Sequence, residues 1–147
     1  MGFGLPAAIG AKFGAPDRTV VAIIGDGGFQ MTIQELGTIM QFRPHVKILI
    51  LNNEVLGMVR QWQQLGHDRR YSFVNITSPD FVPVAKGYSI DGKRISKREE
   101  LKNALKEMLD HKGSYLLEVM VGKENNVFPM VPQGRGVAEI VLSSDEV

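Results

Sequence analysis

Short apolar runs rich in β-branched residues alternate with segments of helical spacing along this chain. The runs are continuously apolar, which predicts strands that are buried on both faces of a sheet. We predict strands at residues 19–24, 47–51, 88–90 and 115–121. We predict helices at residues 32–42, 57–65 and 79–86, and a long helix that ends near Gly113. This alternation predicts an α/β fold, a doubly wound parallel sheet with helices on both faces.

Capping residues mark the expected starts of two helices. Thr32 and Ser96 are candidate N-caps, and each is followed three residues later by a glutamate, Glu35 or Glu99, as in a capping box. The first residues of the chain are small, glycine-rich and apolar, and Pro6 suits the first turn of a helix. This element begins without a cap, which suggests a piece of a longer protein.

Length and composition indicate one globular domain. The 147 residues are 44% hydrophobic and 22% charged, and the formal charge of +1 does not favour nucleic acid as a partner. Cysteine is absent, which excludes disulfides, thiolate metal sites and a cysteine nucleophile. No apolar run approaches the ~18 residues that span a bilayer, and we expect no membrane partner. We place the domain at residues 1–142 and a disordered acidic tail at 143–147.

A glycine-rich turn follows the first predicted strand. Gly25, Asp26, Gly27 and Gly28 lie where the strand passes into a helix, and backbone N–H groups at such a turn can approach a phosphate. The third glycine of the dinucleotide-binding pattern is missing, because its position is Gln30. A carboxylate beside a diphosphate repels it unless a divalent cation lies between them. Mg²⁺, which prefers hard oxygen ligands and substrate phosphates, would satisfy both groups.

The second half of this site is expected at the end of the next strand. Asn52 and Asn53 follow residues 47–51 and offer neutral amide oxygens. Because parallel strands end at the same edge of a sheet, Asp26 and the asparagines should lie together. Either half alone could equally be a helix-capping turn or a simple strand end. The two halves on successive strand ends favour a site for a metal ion and a diphosphate.

The spacing of the two halves resembles the thiamine diphosphate motif, which begins with Gly-Asp-Gly and ends with Asn-Asn. The sequence around them, at residues 1–10, 25–36, 51–63 and 128–132, resembles the large catalytic subunit of acetolactate synthase. The similarity covers nearly the whole chain but only the last part of that family's subunit. The family's N-terminal pyrimidine-binding domain and central FAD-binding domain lie outside it.

The resemblance implies a role for each matching residue. The residues implied to contact the cofactor are Met1, Gly25, Asp26, Gly27, Gly28, Asn53, Val55, Gly57 and Met58. Among them, the side chains of Asp26 and Asn53 and the backbone carbonyl of Val55 would ligate Mg²⁺. The family's activating glutamate belongs to the N-terminal domain of a partner subunit, and no residue here matches it. We therefore assign no catalytic residue and expect the isolated chain to be inactive.

A substrate pocket is implied at Met58, Val59 and Trp62, where the second 2-oxo acid would bind. Met58 and Trp62 are four residues apart and share a face if this stretch is helical. The alternative is a packing role, with Met58 as core filler and Trp62 as a half-buried side chain. Arg60 is either an anion binder or a solvated charge on the same helix.

The implied reaction decarboxylates pyruvate and condenses the product with a second pyruvate or with 2-oxobutyrate, in branched-chain amino acid synthesis. The resemblance also implies FAD in the complete enzyme, a homodimer or tetramer of large subunits, and an optional regulatory small subunit. The implied location is the cytoplasm, or the plastid in a plant. Two alternatives stay open: another thiamine diphosphate-dependent decarboxylase, oxidase or carboligase, and an inactive fragment that serves as an interaction module. A generic nucleotide-binding module is disfavoured by Asp26 and Gln30.

Overall fold

The computed structural model describes residues 1–143, so the expected tail lies outside the described residues except for Ser143. Within this described range, six α-helices, α1 to α6, span Gly4–Gly14, Asp26–Gln30, Leu36–Phe42, Gly57–Gly66, Phe81–Gly87 and Leu101–Asp110. The same residues contain four strands, β1 to β4, which span Val20–Gly25, Val46–Asn52, Asp91–Ile95 and Tyr115–Met120. Within residues 1–143, no helix has the length and apolar character that a membrane span requires.

The chain divides into two compact units. The first unit comprises Met1–Glu54 and Thr77–Val121 and contains the sheet. The second unit comprises Val55–Ile76 and the chain from Gly122 onward, and it contains α4. A single cofactor-binding domain over residues 1–142 stays a prediction.

All four strands of the first unit are parallel, in the order β1-β2-β4-β3. Gly25 at the end of β1 pairs with Leu51, and Asn52 at the end of β2 pairs with Met120. The residues that follow β1 and β2 therefore leave the sheet side by side at one edge. The predicted doubly wound parallel α/β fold is confirmed.

Apolar side chains of the central strands alternate between two cores, one on each face of the sheet. Ile48 and Leu116 belong to the larger core, which they form with residues of α1, α3 and α5. Leu49 and Leu117 belong to the smaller core, which lies against α6. The central strands can therefore be apolar throughout, as the sequence predicted. Burial on both faces is wrong for β1, whose alternate residues face solvent: Ile23 is 65% exposed, and the smaller core contains no residue of this edge strand.

The strand predicted at residues 88–90 is wrong. The observed strand is β3, which begins one residue later at Asp91 and is mostly solvent-accessible. It is an edge strand with polar and charged residues such as Lys93 and Arg94, so it lacks the apolar pattern that marked the other strands. Ser89 instead adopts a left-handed turn with φ of 59°, and Ile90 enters the larger core.

The two predicted capping boxes are also wrong in detail. The segment after Thr32 forms a short 3-10 turn at Ile33–Glu35 before α3 begins, and the Thr32 side chain accepts no capping bond. Its hydroxyl donates to the Gly2 carbonyl at 3.1 Å. A second 3-10 turn at Arg98–Glu100 precedes α6. There Glu100, one residue beyond the predicted Glu99, accepts from the backbone N–H of Lys97 at 3.1 Å.

We expect Phe81→Ala to destabilise the chain by about 3–5 kcal/mol, the usual cost of deleting a buried phenylalanine. Phe81 is fully buried and meets the Phe29 ring edge-to-face with the centroids 5.2 Å apart. Urea unfolding of both proteins would measure the change. Phe3→Ala is the control, because Phe3 is 79% exposed and its loss should cost less than about 0.5 kcal/mol. Equal losses in the two variants would contradict the assignment of the core.

Candidate functional site

The glycine-rich turn lies at the carboxyl end of β1. The strand ends at Gly25, and Asp26 is the first residue of α2. Gly25 has an ordinary extended backbone, and a Cβ added there would meet no atom within 4 Å. Neither the backbone conformation nor protein packing therefore requires a glycine at this position. The open space beside Gly25 is available to a ligand.

Asp26 carries a buried carboxylate without a cationic partner. Its side chain is 1% exposed, its Oδ2 accepts from the Ser78 hydroxyl at 2.8 Å, and its Oδ1 accepts from the Asn53 N–H at 3.4 Å. Among residues 1–143, no lysine, arginine or histidine forms an ion pair with it. Burying an uncompensated charge is costly, so the donor set here suits an added cation.

The end of β2 forms a tight turn through Asn52, Asn53 and Glu54. The Asn52 side chain is buried and used within the protein, because its Oδ1 accepts from the Glu54 N–H at 3.1 Å. Glu54 has φ of 56°, a left-handed conformation that is uncommon outside glycine, asparagine and aspartate. Of the two asparagines, Asn53 is the one that adjoins Asp26.

Glu118 lies in the interior of β4 and completes the surroundings of Asn52. It is fully buried, its Oε1 accepts from Asn52 Nδ2 at 2.7 Å, and its Oε2 accepts from Arg94 Nε at 2.7 Å. The hydrogen bond to Glu118 raises the pKa of Arg94. Sequence reasoning missed Glu118 and Ser78. A single carboxylate inside an otherwise apolar strand was the available signal for Glu118, whereas Ser78 had none.

The N-terminal residues lie beside the glycine-rich turn. A Cβ on Gly28 would lie 4.0 Å from the backbone nitrogen of Gly2, and Gly2 itself has φ of 74°. Gly2 is held there by the hydroxyl of Thr32, which donates to its carbonyl. Met1 is therefore near the turn, and its side chain is largely exposed.

The other predicted cofactor and pocket residues belong to the second unit. Val55 is buried and forms an antiparallel bridge with Asn75, and α4 begins at Gly57. The helix predicted at residues 57–65 is confirmed, so Met58 and Trp62 share a helical face. Met58, Val59 and Trp62 are all half-exposed. A cavity of about 540 Å³ is lined by Val59, Trp62, Gln63, His67 and Arg70.

Arg60 is neither a free anion binder nor a solvated charge. It is buried, its guanidinium pairs with Glu124 at 2.7 Å, and it lies over the Tyr71 ring at 4.6 Å from the centroid. The neighbouring Gln61 side chain bonds both backbone groups of Val127, accepting from its N–H at 2.7 Å and donating to its carbonyl at 3.2 Å. These two residues attach the segment after Gly122 to α4.

The described residues supply only part of a metal coordination sphere. Within residues 1–143, no group of three or more histidine, cysteine, aspartate and glutamate side chains is placed to hold a metal ion. A metal at Asp26 would therefore need amide, carbonyl or ligand oxygens in addition. This is the usual requirement of Mg²⁺, which takes one or two carboxylates and substrate phosphates.

Comparison with known proteins gives a consistent result. Residues 1–119 match the family described as thiamine pyrophosphate enzyme, C-terminal TPP binding domain. Acetolactate synthase of Schizosaccharomyces pombe is 49% identical over 97% of this chain and 21% of its own length. The acetolactate synthase isozyme 2 large subunit of Escherichia coli is 46% identical over 96% of this chain and 26% of its own length. The predicted resemblance to acetolactate synthase is confirmed, and the chain spans about a fifth to a quarter of these relatives.

A solved structure shares the fold. It is the thiamine diphosphate-dependent 4-hydroxybenzoylformate decarboxylase of Rhodococcus jostii RHA1, with a TM-score of 0.77 and 34% sequence identity. The match covers 83% of this chain and 23% of that one.

We expect Asp26→Asn to leave the ligand-free protein within about 1 kcal/mol of the original stability, or to raise it. The change removes a buried charge, and the Ser78 hydroxyl can accept a bond from the new amide as readily as it donates to the carboxylate. Urea unfolding without metal would test this. Asp80→Ala is the control and should cost about 1 kcal/mol, because Asp80 caps α5. A loss above about 2 kcal/mol in Asp26→Asn would show that the carboxylate is structural.

Proposed function

This chain belongs to the C-terminal TPP-binding domains of the thiamine pyrophosphate enzymes, and we propose that it binds the cofactor through Mg²⁺ as part of an acetolactate synthase large subunit. The observation that carries the proposal is Asp26, a buried carboxylate without a cationic partner among residues 1–143, next to the Asn53 backbone. A divalent cation would compensate this charge and join it to a diphosphate.

The proposed ligands of Mg²⁺ are the side chains of Asp26 and Asn53, with the Val55 backbone carbonyl as a third. Gly27 and Gly28 lie in the first turn of α2, where backbone N–H groups have no acceptor within the helix and can donate to phosphate oxygens. The open space at Gly25 lets the ligand approach the main chain. Met1, Gly57 and Met58 complete the proposed cofactor contacts.

Thiamine diphosphate, when bound, supplies the carbanion chemistry that decarboxylation and condensation of 2-oxo acids require. The part of this chain is to hold and orient the cofactor and to shape the space for the acceptor. Met58, Val59 and Trp62 are the proposed acceptor contacts, since apolar and thioether surface suits the short alkyl group of pyruvate or 2-oxobutyrate. The activating glutamate, the FAD site and the partner large subunits are proposed to belong to the longer enzyme.

A second candidate is decarboxylation of a 2-oxo acid without condensation. The likeness to the 4-hydroxybenzoylformate decarboxylase favours it, because that enzyme shares the fold at 34% identity. An assay of a complete enzyme that contains this segment would separate the two. Acetolactate formed from pyruvate supports the first candidate, and acetaldehyde as the sole product supports the second.

We expect thiamine diphosphate to bind this chain only in the presence of Mg²⁺. Calorimetric titration with and without the metal would measure this. Asp26→Asn should weaken Mg²⁺-dependent binding at least about 10-fold, since it removes the charged ligand. Asp17→Asn is a matched control, because Asp17 is exposed and precedes β1 whereas Asp26 follows it. Equal affinity with and without Mg²⁺ would contradict the proposed metal site.

We expect Trp62→Leu, in an enzyme that contains this segment, to change the preference between pyruvate and 2-oxobutyrate as acceptor. One pocket contact of this kind is worth roughly 1–3 kcal/mol, or about 10–200-fold in specificity. The ratio of the two products in a competition assay is the measurement. Gln64→Leu, on the same helix but outside the cavity lining, is the control. An unchanged ratio for Trp62→Leu would mean that the side chain serves packing alone.

A further inference from the structure

A continuous set of hydrogen bonds joins the turn after β2 to the edge strand β3. Asn52 donates to Glu118, Glu118 accepts from Arg94, and Arg94 also donates to Asp80 at 3.0 Å. Glu118 is the centre of this set and is fully buried, whereas the Arg94 side chain is 41% exposed. The buried Glu118 carboxylate is thus neutralised by the half-exposed Arg94 of the edge strand β3.

The Glu118 carboxylate determines the orientation of the Asn52 side-chain amide. An ionised carboxylate only accepts hydrogen bonds, so it requires the NH₂ end of Asn52 to face it. The amide oxygen must then point the other way, where it accepts from the Glu54 N–H at 3.1 Å. This is an Asx-type bond to a residue two positions on, and it supports the left-handed backbone of Glu54.

The same turn contains Asn53, because Asn53 lies between the two residues that this bond joins. Its N–H donates to Asp26 Oδ1 at 3.4 Å. We propose that Glu118 is a positioning residue, which orients the Asn52 amide and thereby holds the turn that presents Asn53 to the metal beside Asp26. This inference rests on the proposed function, and it adds Glu118 to the groups on which metal binding depends, with Arg94 serving only to neutralise the Glu118 charge.

Glu118→Gln tests whether the Asn52 amide needs a carboxylate as its hydrogen-bond acceptor. Glutamine has one acceptor oxygen where glutamate has two, and the charged Arg94 donor competes for it more strongly than the neutral Asn52 amide. The NH₂ group of glutamine would then face the NH₂ group of Asn52 and destabilise its orientation. Removing a direct hydrogen-bond partner of a metal ligand costs about 10–100-fold, and Glu118 acts on Asn53 one step further away, through Asn52. We therefore expect the Mg²⁺ concentration for half-maximal thiamine diphosphate binding to rise about 10-fold.

A second substitution separates positioning from stability. Arg94→Met leaves Glu118 able to accept from Asn52, so it should lower the thermal midpoint and change the Mg²⁺ requirement less than about 3-fold. In the double variant R94M/E118Q, the glutamine oxygen no longer has a charged competitor and can accept from Asn52. We expect the Mg²⁺ requirement to return to within about 3-fold of the original protein. If Glu118 served stability alone, the Mg²⁺ requirement of each variant would follow its thermal midpoint. The double variant would then need as much Mg²⁺ as Glu118→Gln alone.

Amide hydrogen exchange gives a readout that needs no cofactor. In the ligand-free chain, Glu118→Gln should speed exchange of the Glu54 N–H about 10-fold or more, because its acceptor is displaced. Lys93→Met is the matched control. Lys93 adjoins Arg94 on β3 but pairs with Glu107 at 3.1 Å, so its loss should leave Glu54 exchange and the Mg²⁺ requirement unchanged.

The outcomes are distinct. The inference would be overturned if Glu118→Gln had the same Mg²⁺ requirement as the original protein. It would also be overturned if the double variant did not recover the original Mg²⁺ requirement. Absence of Mg²⁺-dependent binding in the original protein would overturn the proposed function instead. In that case the exchange rate of Glu54 decides whether Glu118 holds the turn, since it is measured without metal or cofactor.

Discussion

The parallel register of β1 and β2 is the constraint on which the candidate site depends. Gly25 pairs with Leu51, so Asp26 and the Asn52–Asn53 pair leave the sheet at the same edge. A strand displaced by one residue would turn each side chain to the opposite face and would separate the two halves. The apolar side chains that both strands contribute to the larger core, such as the paired Ile24 and Ile50, fix this register. The packing of the sheet therefore determines whether a carboxylate and an amide can act together.

Three buried charged side chains of the first unit are accommodated in different ways. Lys47 donates to the backbone carbonyls of His111 and Gly113, and burial lowers its pKa. Glu118 is paired with Arg94. Asp26 alone has only neutral donors around it among residues 1–143. The charges of Lys47 and Glu118 therefore have partners within the chain, whereas the Asp26 charge is the one that a bound cation would compensate.

Local sequence determined much of the fold and the outline of the site. Continuous apolar runs identified β1, β2 and β4, although only the central strands β2 and β4 are largely buried on both faces. The order of strands and helices then determined that the sheet is parallel. Asp26 and Asn53 followed from their positions after two successive strands. The family of the chain followed from the residues around them.

Tertiary structure alone decided which polar residues are used within the protein. Asn52 and Asn53 are alike in sequence, but Glu118, 66 residues away from Asn52, takes the Asn52 amide and so leaves Asn53 beside Asp26. β3 was misplaced because an edge strand needs no apolar pattern. Thr32 did not cap an α-helix because a 3-10 turn follows it, and its hydroxyl donates to the distant Gly2 carbonyl. Such outcomes depend on competition between donors and acceptors that are distant in sequence, and a local pattern holds no information about them.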